Sequence, residues 1–143
     1  VSDWRKTRGE SAKPGREFYS KYCKTILHTG APDAFVTRPI GAPIEFVPLA
    51  DPATKKPGDK LTVQILFNGA PAANLHRDLA RGEVLGLADL QRLGRTNQQG
   101  LIDIPLDSPG LWKLHAIHMQ RRPDTKQADW ESHWASLTFE VTP

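Results

Sequence analysis

Four side chains near the end of the chain combine residue types that bind transition metals. They are two histidines, His118 and His133, and two carboxylates, Asp129 and Glu131, gathered around one polar segment. Imidazole and carboxylate ligands suit divalent nickel, cobalt, zinc or copper, and ligand type alone does not choose among these ions. The grouping therefore predicts that a divalent transition metal is captured here.

These side chains lie on two runs of strand length. Residues 111–119 and 129–141 are apolar and rich in aromatics, and the polar segment between them contains a proline. This arrangement is typical of two antiparallel strands joined by a loop. Side chains alternate along a strand, so both histidines fall on the faces that carry the large apolar residues. We expect those faces to point to the core.

The strand register decides how near the two imidazoles come. We expect Arg121 to pair with Ser132. In that register His118 lies opposite Ala135 and diagonal to His133. Diagonal neighbours are roughly 7 to 8 Å apart, which lets two imidazoles converge on one ion.

The sequence favours a structural interpretation of the same residues over a metal site. The two histidines would then be hydrogen-bonded at the rim of the core, and the two carboxylates would pair with basic residues of the loop. The other histidines do not share the facing parity, because residues three apart on a strand point to opposite faces. We expect these to be dispensable for any metal: His28, His76 and His115.

Composition and turn spacing indicate the fold. The chain has 143 residues, with twelve prolines and eleven glycines, and a proline inside a helix costs roughly 3 kcal/mol. Turn signals recur about every ten residues from Pro43 onward, the spacing of a sandwich. We predict an all-β, immunoglobulin-like or transthyretin-like antiparallel β-sandwich over residues 18–143. Residues 1–17 are expected to be an extended or poorly ordered lead-in whose first thirteen residues add little stability.

Several strands can be placed within this domain. Residues 61–67 alternate with period two and form the clearest core strand, and Asn68 with Gly69 predicts a tight hairpin turn after it. Residues 18–27 favour a strand, 44–49 another, and 83–87 a weak edge strand. The expected core residues are Leu61, Val63, Ile65, Phe67, Ile102, Ile104, Trp112, Leu114, Leu137 and Phe139.

The sequence argues against several functions. The net charge is +3 and the isoelectric point about 9.2, but basic residues are scattered, so nucleic-acid binding is not expected. There is no run of about 18 apolar residues, so no membrane span is expected. A single cysteine, Cys23, excludes an internal disulfide. No nucleophile stands with a positioned base, so we expect no enzymatic activity.

Several phrases, in this order, are similar to one family. They include residues 40–49, Asn68-Gly69-Ala70-Pro71, Gly110-Leu111-Trp112 and residues 129–132. They resemble the bacterial domain-of-unknown-function family often described as the periplasmic component of cobalt/nickel ABC-type transport systems. The resemblance runs from about Phe18 to the end and covers the C-terminal half of a typical member.

This resemblance implies a periplasmic location and a sandwich fold. It also implies a non-enzymatic binding or accessory domain that captures nickel or cobalt for uptake and meets membrane transporter components. The alternative is a structural or interaction module that recognises carbohydrate or a protein partner through loop 121–132. For carbohydrate, an aromatic platform would be needed. The candidates are Trp112, Trp130, Trp134 and Phe139. The favoured interpretation is instead structural, with Trp112 in the core and with Trp130 and Trp134 packed against the final loop.

Overall fold

The protein is represented by a computed structural model that describes residues 2–81 and 91–143. Its helices are α1 (Ser2–Thr7) and two short 3-10 turns, Ala34–Thr37 and Pro52–Thr54. Its strands are β1 (Glu17–Thr25), β2 (Ile44–Pro48), β3 (Lys60–Phe67), β4 (Ala70–Pro71), β5 (His76–Arg81), β6 (Gln91–Arg95), β7 (Leu101–Pro105), β8 (Gly110–Arg121) and β9 (Trp130–Val141). The edge strand predicted for residues 83–87 lies outside the described residues.

The strands form two sheets. The first has the order β1-β9-β8-β5-β6, and in the second β3 pairs with β2 on one edge and with β4 and β7 on the other. The prediction of an all-β sandwich is confirmed. The pairing is antiparallel with one exception, since β1 runs parallel to β9 from Glu17 to Thr25. The expectation of wholly antiparallel pairing was therefore wrong for β1.

The core lies between the two sheets, as the period-two alternation of apolar residues along the strands predicted. In β3 the residues Leu61, Val63 and Ile65 are fully buried, as the strict alternation of that strand requires. From the facing sheet, Trp112 and Phe139 stack with their ring centroids 6.5 Å apart. Of the ten expected core residues, Phe67 and Ile102 are only partly buried, and the other eight are buried.

The turn after β3 forms as predicted. Asn68 and Gly69 have φ angles of 50° and 78°, the left-handed values that a two-residue hairpin turn requires. The chain then returns along β3 as β4. This turn holds Phe67 at the end of β3, where its ring reaches the facing sheet.

Glu45 ties the segment before β2 to the first sheet. Its side chain is 4% exposed and accepts hydrogen bonds from the backbone N–H of Ile40 and Gly41, at 3.0 and 2.9 Å, and from Lys24 Nζ at 2.7 Å. Burial alone would raise the pKa of Glu45. The two N–H donors and the ammonium outweigh burial, so the pKa lies below its usual value and the carboxylate stays charged.

The N-terminal segment differs from the expectation of an extended or poorly ordered lead-in. Residues 2–7 form the helix α1, and the Trp4 ring meets the Trp130 ring edge-on with centroids 5.2 Å apart. The guanidinium groups of Arg8 and Arg121 lie 4.3 and 4.8 Å from the centre of the Trp4 ring. Aromatic periodicity did not reveal this contact, because a single tryptophan within a charged segment carries no repeat.

Replacement of Phe139 by Ala tests the core. We expect a loss of about 3 to 5 kcal/mol in the free energy of unfolding, since the cavity lies between two packed sheets. Urea denaturation measures it. The control is Leu111→Ala, at a side chain 44% exposed, which should change stability by less than about 0.5 kcal/mol. Similar small losses in both variants would contradict the assignment of the core.

Replacement of Trp4 by Ala tests the docking of α1. We expect a loss of about 1 kcal/mol, because the variant removes an aromatic pair and two cation–π contacts. Thermal unfolding should show a lowered melting temperature, and the exposed Lys6→Ala should leave it unchanged. An unchanged melting temperature for Trp4→Ala would restore the view that this segment adds little stability.

Candidate metal centre

The pairing of β8 with β9 places the two histidines directly opposite each other. Twelve residue pairs join these strands, with Arg121 opposite Trp130 and His118 opposite His133. The expected partner of Arg121, Ser132, was wrong by two residues. Because strand side chains repeat every two residues, this slip leaves every side chain on its predicted face. The predicted parity is confirmed, and the imidazoles are closer in register than expected.

The paired residues on the inner face of the β8–β9 hairpin change from apolar to polar along its length. Directly opposite residues in a sheet have Cβ atoms about 4.5 to 5.5 Å apart, so each pair acts as one packing unit. From core to rim the pairs are Trp112 with Phe139, Leu114 with Leu137, Ala116 with Ala135, His118 with His133, and Gln120 with Glu131. The histidine pair thus stands at the boundary between the apolar core and the polar rim.

Aromatic rings from other strands pack on the histidine pair. The Phe67 ring centroid lies 4.1 Å from that of His118 and 5.1 Å from that of His133. On the far side, Tyr22 of β1 stacks on His133 at 6.2 Å with the rings 19° from parallel. The two imidazoles are therefore partly shielded from water by an apolar wall.

This environment keeps His118 neutral. Burial lowers the pKa of His118, the charge that His133 would carry lowers it further, and a hydrogen bond with Gln120 acts in the opposite direction. The His133 side chain is 13% exposed, and its Nδ1 atom is buried without a hydrogen-bond partner. A neutral imidazole is the form in which histidine binds a metal, and the lowered pKa favours that form of His118.

Glu131 completes the group at the rim. One oxygen of its carboxylate, Oε2, lies 4.0 Å from His133 Nε2, and Gln120 Nε2 donates to the same oxygen at 3.4 Å. The side chain of Glu131 is 28% exposed. It can approach an ion held by the histidines through a change of rotamer, since it is not fixed by a strong partner.

Asp129 is engaged elsewhere. Its carboxylate accepts from the backbone N–H of Arg16 at 3.2 Å and from the guanidinium at 3.3 Å. The side-chain hydrogen bond from Arg16 holds the pKa of Asp129 below its usual value. Arg16 also donates to the backbone oxygens of Thr125 and Lys126, at 2.7 and 3.0 Å. His118, His133 and Glu131 thus lie near one another, and Asp129 instead fastens the loop.

Two of the remaining histidines, His115 and His28, make other contacts. His115 is buried on the opposite face of β8, with its ring edge-on to Trp134 at 5.4 Å. His28 Nε2 lies 2.8 Å from Asp51 Oδ1, an ion-pair geometry that sequence reasoning missed. The only sequence feature near this contact was Asp51 before Pro52, where Asp51 is the N-cap of a short helix. Across the described residues, no three His, Cys, Asp or Glu side chains are arranged to hold a metal.

The aromatic residues do not form one platform. Trp112 and Phe139 are each 1% exposed in the core, and Trp130 is 8% exposed beneath Trp4. Trp134 lies on the outer face, where its Nε1 donates to Ser132 Oγ at 2.8 Å. A carbohydrate surface built from all four rings is therefore excluded, because they face different sides of the sheet.

Comparison with protein families identifies the group to which the chain belongs. The family described as Domain of unknown function (DUF4198) matches residues 2–120. The chain is a member of this family. The match runs from α1 to the end of β8 and stops before β9, whereas the resemblance was expected to extend from about Phe18 to the end of the chain. Neither a curated protein nor a solved structure matches this DUF4198 chain.

The family description carries no activity for the DUF4198 chain. Cobalt or nickel transport therefore stays a prediction, as does the periplasmic location. Within the part of the chain that the structure describes, no helix is long and apolar enough to cross a membrane.

Titration of His118 followed by NMR tests this environment. We expect its pKa to lie below 6.5, and His133→Gln should raise it toward that value without reaching it, since burial remains. A lowered pKa means that the unfolded chain binds the proton first, so this group makes stability fall as the pH drops below about 6.5. A His118 pKa at or above 6.5 in the unmodified protein would contradict the packing by Phe67.

Proposed function

We propose that this DUF4198 domain is a non-enzymatic binding domain of the periplasm that captures a divalent transition metal, nickel or cobalt, for uptake. The observation that carries the proposal is the direct opposition of His118 and His133 on one face of a hairpin. Two paired imidazoles provide a nitrogen ligand set for borderline metals.

The two imidazoles are ligands of the type that such an ion takes. His133 Nδ1 is a buried acceptor or donor with no partner, and a buried polar atom without a partner costs free energy that a ligand can recover. Glu131 lies near the other ring nitrogen of His133, with Oε2 4.0 Å from Nε2, and supplies negative charge at the rim. The protein would contribute the two imidazoles, and water or a partner would complete the coordination.

A site with few protein ligands and open positions suits a carrier more than a structural metal. Structural zinc sites are closed by four protein ligands, whereas an open position allows an ion to be passed on. The periplasmic location and the transfer to membrane transporter components follow from the family resemblance. They form part of the proposal and are supported by no contact within the chain.

The second candidate is an interaction module that uses loop 121–132 to bind a protein or carbohydrate. The observation in its favour is that the Arg16 side chain donates hydrogen bonds to three residues of this loop, Thr125, Lys126 and Asp129. A loop that is already ordered loses less conformational entropy when a partner binds.

Calorimetric titration of the metal-free chain with Ni²⁺, Co²⁺, Zn²⁺ and Cu²⁺ tests the metal proposal. We expect binding to at least one of these ions, and a loss of at least tenfold in affinity in His118→Ala and in His133→Ala. Protons compete for imidazole, so the affinity should also weaken as the pH falls below about 6.5.

His115→Ala is the matched control. It removes a histidine from the same strand but from the opposite face, and should leave the affinity unchanged. Undiminished binding in both His118→Ala and His133→Ala would reject the site and favour the interaction module. Circular dichroism of each variant establishes that the sandwich is retained.

A further inference from the structure

β1 leaves one edge of the first sheet open. It is the terminal strand of that sheet and pairs only with β9 among the described residues. The residues that flank it, Arg16 and Ile26, both direct backbone groups at β9: Arg16 O accepts from Trp130 N at 3.1 Å, and Ile26 N donates to Thr138 O at 2.9 Å. Even-numbered residues of β1 therefore face β9 with their backbone.

The odd-numbered residues present the opposite edge. Backbone groups alternate in direction along a regular strand, and the pairing of β1 with β9 has no break in register. Tyr19, Lys21 and Cys23 thus direct their N–H and C=O groups away from the sheet. Such a row of unpaired donors and acceptors is a template for one more strand.

Two adjacent cavities lie beside this edge. The first, of about 230 Å³, lies between β1 and β2 and is lined by Tyr22, Ala42, Ile44 and other residues. The second, of about 350 Å³, continues past the end of β1 and is lined by Leu27, Phe35 and others. Ile40 belongs to both walls, so the cavities follow one another along the strand.

The cavity walls expose large apolar side chains. Leu27 is 83% exposed, Phe35 63% and Ile40 61%. Single exposed apolar residues are ordinary, but three around adjoining cavities form a patch that a partner would remove from water. Side chains two residues apart on an added strand lie on the same face, so two of them could enter successive cavities.

Basic side chains stand along the middle and the far end of this edge, while Glu17 lies at its start and accepts a hydrogen bond from Ser132 Oγ. Lys24 is neutralised by Glu45 at 2.7 Å. Lys21 contacts the rings of Tyr19 and Trp134 at 5.6 and 5.4 Å. Neither Lys21 nor Arg38 forms an ion pair with any residue in the described part of the chain. A carboxylate on an incoming segment would find both cations available.

We propose that the open edge of β1 binds an extended acidic segment of another protein as an additional strand. Its backbone pairs with Tyr19, Lys21 and Cys23, and two apolar side chains at alternate positions enter the cavities. Its carboxylates lie near Lys21 and Arg38. This mode of recognition combines main-chain hydrogen bonds for affinity with pockets for specificity.

A second copy of the chain fits this edge less well. In a two-fold antiparallel pairing that uses all nine residues of β1, the Lys21 side chains of the two copies would face each other. Like charges directly opposite in a sheet are unfavourable. The acidic segment meets Lys21 with the opposite charge, and the proposed site is separate from the histidine pair.

The probe is a blocked nine-residue peptide that alternates valine with aspartate, added to isotope-labelled protein. We expect the amide signals of Tyr19, Lys21 and Cys23 to shift, and their hydrogen exchange to slow at least tenfold. Two control peptides should bind at least tenfold more weakly: one with lysine in place of aspartate, and one with alternate backbone nitrogens methylated.

Two protein variants complete the test. Leu27→Asp should weaken binding of the valine–aspartate peptide at least tenfold, whereas Leu111→Asp, at an exposed leucine outside both cavities, should leave it unchanged. Three results would overturn the proposal: absence of shifts at millimolar peptide, equal binding of the methylated peptide, or equal binding to Leu27→Asp. Protection of the same amides without peptide, with a doubled mass in sedimentation, would assign the edge to self-association instead.

Discussion

The twelve-residue pairing of β8 with β9 is the constraint on which the other features depend. It fixes each side chain of the hairpin against one partner, and on the inner face those partners change from Trp112 and Phe139 to Gln120 and Glu131. One register applies to all twelve pairs. The register that places Trp112 opposite Phe139 therefore also places His118 opposite His133. A slip that separated His118 from His133 would also separate Trp112 from Phe139.

The gradient along this ladder explains the chemistry of the rim. The small pair Ala116 and Ala135 leaves room beside the histidines, and the Phe67 ring packs there from the other sheet. Burial lowers the pKa of His118, and the Phe67 ring packs on its imidazole, while Glu131 remains partly exposed to solvent. The histidine pair thus lies between the apolar core and the partly exposed rim.

Much of the fold could be predicted from the sequence, for physical reasons. Alternation specifies which face of a strand is buried, so the faces of Leu61, Trp112 and Phe139 and the parity of the two histidines were correct. Asn68 with Gly69 predicted the turn after β3 correctly, because few residues adopt the positive φ angles that this turn requires. Parity, however, repeats every two residues and cannot choose among registers that differ by two. The partner of Arg121, Trp130, could therefore be determined only from the structure.

The remaining differences arise from contacts between distant parts of the chain. Asp129 was a reasonable ligand by type and position, but Arg16, 113 residues away, takes its carboxylate and orders the loop. The parallel docking of β1 and the contact of Trp4 with Trp130 likewise depend on long-range packing that leaves no local pattern. The contact between His28 and Asp51 likewise leaves no local pattern in the sequence.

The most direct test of the histidine pair is anomalous X-ray diffraction from crystals soaked in nickel. The account predicts one strong anomalous peak between β8 and β9, about 2.0 to 2.1 Å from a ring nitrogen of both His118 and His133, a distance typical of imidazole on a first-row metal. A crystal with no peak at this pair, or with its peak between His28 and Asp51, would contradict the account.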